Sequence, residues 1–112
     1  MRILSIIKID PVPAKREEIL RILYSIKGPV LAIGACVDCH ICEEERGEGM
    51  IIYLEQWQGW EAFMRHLRSD IYGRILEAIE LSREMPDVSF YEVSAVKGMD
   101  LLNAVRNEKA AE

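Results

Sequence analysis

Leu54-Glu55-Gln56-Trp57, with His66-Leu67 beginning nine residues after the tryptophan and Ser69-Asp70 following, is the stretch on which the fold turns. Met50 to Trp57 is rich in β-branched and aromatic residues and reads as a strand. From Trp60 the apolar period changes. Trp60, Phe63, Met64, Leu67, Ile71, Ile75, Leu76 and Ile79 fall on one helical stripe. Ser69-Asp70 fits an N-cap inside that stretch, which predicts a bent or broken helix reaching Arg83. A strand ending in an indole and a helix carrying an imidazole can place both groups, with apolar side chains, around one cavity.

Working outward, Arg2 to Ile9 is a β-branched run stopped by Asp10-Pro11, and it predicts a strand. Pro13 suits the first turn of a helix, with Glu17 and Glu18 at its positive end. Ile19, Leu20, Ile22, Leu23 and Ile26 recur at helical spacing, and Arg16, Arg21 and Ser25 fall on the opposite face. Gly28-Pro29 is the expected helix stop. Val30 to Cys42 then predicts a strand that pairs with 50–57 across the polar turn Glu43-Glu44-Glu45-Arg46-Gly47-Glu48-Gly49. After Met85-Pro86-Asp87, Val88 to Lys97 reads as the last strand. Leu101 to Arg106 reads as a short helix, and 107–112 as a frayed tail. The order βαββαβ with a C-terminal helix predicts one α+β domain over 1–106: a ferredoxin-like four-stranded antiparallel sheet with its two main helices on one face. Ile3, Leu4, Ile6, Ile7 and Ile51, Ile52, Tyr53, Leu54 are apolar on both strand faces. A sheet buried on both sides loses alternation in this way, so the expectation is a homodimer packed sheet to sheet.

Composition excludes several partners. The 19 acidic and 14 basic residues give a net charge of −5 with no basic patch, which argues against nucleic acid. No apolar run reaches the roughly 18 residues of a membrane span. Met1 to Lys8 lacks the apolar core and cleavage site of a signal peptide, so a cytoplasmic protein with reduced thiols is expected.

Cys36-Val37-Asp38-Cys39-His40 matches the string of c-type haem attachment. Parity in a strand puts Cys36 and Cys39 on opposite faces, however, and two thioether bonds to one porphyrin need one face. By the same parity Cys36, His40 and Cys42 share a face, but three ligands so close on one strand are poorly placed to close a tetrahedral zinc site. The expectation is therefore no metal, with Ala35, Val37, Cys39 and Ile41 packing one face as small apolar residues.

Glu55-Gln56-Trp57, Glu61-Ala62-Phe63, His66-Leu67, Ser69-Asp70 and Tyr72 resemble the antibiotic biosynthesis monooxygenase (ABM) family, as do Pro86-Asp87-Val88-Ser89-Phe90, Gly98-Met99 and Arg106. The resemblance covers nearly the whole chain and is most specific from Trp57 to Tyr72. It implies a dimeric α+β barrel. It also implies one of several activities: oxygenation of phenols or quinols without flavin or metal, haem degradation, or none known. Members that degrade haem carry Asn, Trp and His where this chain has Ile6, His66 and Leu76, so that activity is not expected. The quinol-type members often carry a His at the position of His66, which is retained, and a second one replaced here by Ile71.

Oxygenation without a cofactor needs a base, an apolar pocket and a donor for developing oxyanion charge. His66 fits the base, and the Trp57 indole N–H or a hydroxyl of Tyr53 or Tyr72 fits the donor. Phe63, Met64, Ile71 and Ile75 fit the walls around a small aromatic ligand. On a helical wheel His66 lies about 60° from Phe63, at the edge of the apolar stripe, where a half-exposed histidine is common. The expected function is a cofactor-independent monooxygenase acting on a phenolic or quinol-type molecule. The alternatives are a non-catalytic ligand-binding or interaction module on the same barrel, and a non-covalent haem binder using His66 or His40.

Overall fold

Four antiparallel strands form one sheet with the order β2-β3-β1-β4, and the first three α-helices pack on one side of it. The structure is a computed structural model that describes residues 1–44 and 49–111. The strands are β1 (Arg2–Ile9), β2 (Cys36–Glu43), β3 (Ile51–Trp57) and β4 (Asp87–Val93). The helices are α1 (Arg16–Leu31), α2 (Trp60–Leu67), α3 (Asp70–Glu80) and α4 (Met99–Ala111), with a 3-10 turn at Pro13–Lys15 before α1. This is the ferredoxin-like βαββαβ arrangement with a C-terminal helix. The expected polar turn between β2 and β3, 43–49, falls partly on residues 45–48, outside the described residues.

Strict alternation builds the core on the two central strands. Ile3, Ser5, Ile7 and Ile9 of β1 and Ile51, Tyr53, Glu55 and Trp57 of β3 are buried under the helices. Leu4, Ile6, Ile52 and Leu54 sit half-buried on the open face. The register Ile3↔Trp57 and Ser5↔Glu55 aligns these two inward rows. Ile19, Ile22, Leu23, Ile26 and Val30 of α1 close over them.

Several boundaries differ from expectation. The helix α1 does not stop at Gly28-Pro29 but runs to Leu31. Glycine lacks the Cβ that would crowd a following proline, and the last turn closes through Ala32 N–H to Gly28 O at 3.0 Å. Val30, fully buried, holds that turn in the core, so β2 begins at Cys36 rather than Val30. Arg16 was expected on the outer face but is buried, donating to Gly49 O at 2.6 Å and pairing with Glu43 at 3.1 Å. At the other end, β4 is shorter than expected, and α4 runs Met99–Ala111 rather than 101–106 with a frayed end. Met99, Leu101, Leu102 and Val105 on α4 are exposed.

The break at Ser69 is as predicted. Its hydroxyl accepts from Tyr72 N–H at 3.2 Å and so caps α3. The break also rotates α3 relative to α2, which the single stripe did not allow for. Trp60, Met64 and Leu76 emerge exposed, whereas His66, Tyr72 and Ala78 turn inward.

Candidate functional site

Period-two alternation on β3 drives a carboxylate into the core, because Glu55 follows Tyr53 and precedes Trp57 on the helix-facing row. Glu55 is 1% exposed and His66 is 2% exposed. A buried carboxylate is tolerable only with donors around it, and three converge here. Tyr53 Oη donates to Oε2 at 2.5 Å, the Trp57 indole Nε1–H donates to Oε1 at 2.9 Å, and His66 Nε2 lies 2.9 Å from Oε2. Behind Tyr53, the Cys39 thiol donates to Tyr53 Oη at 3.3 Å. An ionised carboxylate only accepts, so the assignment that satisfies this set puts a proton on His66 Nε2.

His66 is further fixed by aromatic contacts. Its ring stacks on Trp57 at a centroid distance of 4.5 Å and 29° between planes, and Tyr72 meets it edge-on at 5.2 Å. The other ring nitrogen, Nδ1, is buried without a hydrogen-bond partner. The Ser5 hydroxyl, across the ladder from Glu55, is also buried and unpartnered. With Nε2–H committed to Glu55, a neutral His66 carries its lone pair on Nδ1. A carboxylate that orients an imidazole through one nitrogen leaves the other to act as a base, and it stabilises the imidazolium that results.

A cavity of about 210 Å³ lies beside this group, lined by Ile33, Ala35, Trp57, Ala62, Arg65, His66 and Ser69. The break between α2 and α3 and the turn before β2 form its walls. Of the residues expected at a site, Trp57 and His66 line it. Tyr53 is buried beneath, bonded to Glu55; Phe63 and Tyr72 pack against the histidine ring, and Ile75 is buried in the core. Ile71 is half-buried, and Met64 is exposed on α2, away from the lining. The donor role expected of Trp57 or Tyr53 is already taken, since both N–H and O–H bond Glu55. The expectation of a half-exposed His66 gives way to a buried one, because Glu55 and Tyr72 supply partners from outside the helix that a helical wheel cannot register.

Glu55 is the residue that sequence reading passed over. It was available from alternation alone: Ile51, Tyr53, Glu55 and Trp57 share a face, and a lone carboxylate between two aromatic donors on a core row announces a buried polar cluster. Burial holds Tyr53 in its neutral form, and the nearby Glu55 carboxylate reinforces this, pushing its ionisation far above the usual range. The Tyr72 hydroxyl is pushed up to about 12 by burial first and Glu55 second.

The cysteines depart from the parity argument. A β-bulge between Cys36 and Asp38 shifts the register, so that Cys36 faces Trp57 and Cys39 faces Glu55. Both thiols therefore lie buried on the helix side, while His40 and Cys42 are exposed opposite Leu54 and Ile52. Cys36, His40 and Cys42 do not share a face. Among the described residues no group of three or more His, Cys, Asp or Glu side chains is placed to hold a metal ion, and no helix is long and apolar enough to cross a membrane.

Residues 2–78 match the family described as antibiotic biosynthesis monooxygenase. No functionally curated protein matches the chain. Among solved structures, Rv0793 from Mycobacterium tuberculosis superposes with a TM-score of 0.78 at 19% identity, covering 88% of this chain and 100% of its own. A conserved protein from Methanosarcina mazei Go1 gives 0.75 at 22% identity over 82% of this chain and 92% of its own. A protein named as an antibiotic biosynthesis monooxygenase gives 0.73 at 12% identity over 83% and 99%. At these identities the likeness establishes the fold.

Proposed function

The chain belongs to the antibiotic biosynthesis monooxygenase family, and from that premise we propose that it oxygenates a phenolic or quinol-type small aromatic molecule without a cofactor, with His66 as the base. The observation that carries this reading is the unpartnered Nδ1 of a buried histidine whose Nε2 is anchored by Glu55, at the wall of an apolar cavity. His66 takes the phenolic proton on Nδ1. The phenolate then passes one electron to O₂, the radical pair combines at ring carbon to a hydroperoxide, and the O–O bond breaks with loss of water. For hydroquinone, one quinol and one O₂ give one hydroxyquinone and one water, and the substrate supplies every electron. Trp57, stacked on His66, forms the wall and helps to anchor Glu55; it is not free to hold an oxyanion.

The commitment of the Trp57 and Tyr53 donors to Glu55 favours a second reading, a barrel that binds such a molecule without oxidising it. Oxygen uptake separates the two. With hydroquinones, catechols and naphthols screened as substrates, His66→Gln, which can still donate to Glu55, is expected to lower uptake by about 100-fold or more. Equal rates in wild type and variant would remove His66 from the base role. Ligand binding with no uptake from any substrate would favour the binding module.

The half-buried open-face residues Leu4, Ile6, Ile52 and Leu54 support a homodimer formed through that face. Light scattering at micromolar concentration is expected to give twice the monomer mass, and Leu54→Glu the monomer mass. A monomeric wild type would rule this pairing out.

A further inference from the structure

We infer that the cleft selects a monocyclic phenol bearing an anionic substituent, a hydroxybenzoate in type, with its hydroxyl toward His66 and its anion held at the rim by Arg65. This rests on the proposed use of the cleft as the substrate site. Size limits the ligand first. An apolar cavity of roughly 150 Å³ accommodates benzene, so about 210 Å³ takes one ring with a few further atoms.

Charge then orders the two ends. The closed side is backed by the Glu55 carboxylate behind His66, which disfavours a second negative group there. The lining residue of opposite sign is Arg65, whose side chain is 68% exposed and so marks the rim. Its partner is Glu61 at 3.3 Å, itself 91% exposed. Such a solvated pair is weak and exchanges readily for a ligand carboxylate that meets the guanidinium with two parallel bonds. Ser69 does not compete for the ligand, because its hydroxyl donates to His66 O at 2.6 Å and accepts from Tyr72 N–H. A net charge of −5 gives anions no general attraction to this chain. Preference for an anionic ligand would therefore depend on this one arginine.

The test is calorimetric titration under argon, which keeps binding apart from any oxidation, with hydroquinone and 2,5-dihydroxybenzoate as a pair differing by one carboxylate. Wild type is expected to bind the dihydroxybenzoate about tenfold more tightly. Arg65→Gln is expected to erase that preference while leaving hydroquinone affinity within about twofold. Arg65 is exposed, so the variant should unfold at the wild-type midpoint. Equal binding of the pair by wild type, equal weakening of both by Arg65→Gln, or binding of neither would each overturn the inference. Failure of the oxygenase reading shows separately, as tight binding of the dihydroxybenzoate with no oxygen uptake in air.

Discussion

Glu55→Ala is expected to cost about 3–5 kcal/mol of folding stability, the range for breaking a buried charged cluster by removing one member. The variant strands three polar groups at once: the Tyr53 hydroxyl, the Trp57 indole N–H and His66 Nε2. Each would separately cost about 1–3 kcal/mol, but they share one site and their losses do not add. Against a typical margin of about 5–15 kcal/mol the change removes a large share of the stability. Glu55→Gln keeps the shape and one acceptor but turns an amide N–H₂ toward donors, and about 2 kcal/mol is expected. Urea unfolding followed by tryptophan fluorescence measures both, and a Glu55→Ala midpoint indistinguishable from wild type would show that the cluster is not bonded as described. Changing three members together, as Tyr53→Phe with Glu55→Leu and His66→Leu, leaves only the Trp57 indole N–H unpaired and should recover part of the lost stability, because buried ionic groups are often replaceable by apolar ones. Oxygen uptake should stay lost. That contrast would indicate a cluster retained for chemistry and not for stability.

Much of this was legible in the chain, and the failures have definite causes. The strand β1 and the cap at Ser69 are readable because each depends on neighbours in sequence: a β-branched run stopped by Asp10-Pro11, and a hydroxyl next to the N–H groups it caps. The placement of Cys36 was not readable, because one extra residue at Val37 reverses parity, and a bulge leaves no mark in residue type. Likewise the stripe from Trp60 to Ile79 runs through two separate helices with different inward faces, so Trp60, Met64 and Leu76 lie exposed while His66 and Tyr72 are buried. His66 stands out in the sequence as a residue, but its environment does not. Its burial depends on Glu55, a partner on a different element, and no period along one helix can report such a contact.

A stability that falls steeply in alkali is the second large effect expected. Four acidic groups in the core are held protonated by burial. Cys36 is pushed from an ordinary 9.0 up to about 12, with Glu55 and Cys39 as lesser causes. Tyr72 rises from 10.0 to about 12. Burial also raises Cys39 and Tyr53, although the bond from Cys39 to Tyr53 lowers the former somewhat. Between pH 9 and 12 the unfolded chain sheds protons that the folded chain keeps. The unfolded state then binds fewer protons, so stability declines as pH rises. The contribution is complete below the unfolded values and is gone once pH passes the folded ones. Each group removes at most about 1.4 kcal/mol per pH unit, and a loss of at least about 2 kcal/mol by pH 11 is expected for the set. Urea midpoints from pH 8 to 11.5, taken under reductant, give the curve. Tyr72→Phe should flatten it above pH 10, and a midpoint that holds level to pH 11 would contradict the burial of these groups. Glu55→Gln tests the coupling within the cluster: burial persists in that variant while the carboxylate, the second-largest cause of the shift at Cys36, Tyr53 and Tyr72, is removed. Its alkaline decline should begin from a lower stability yet run shallower than wild type.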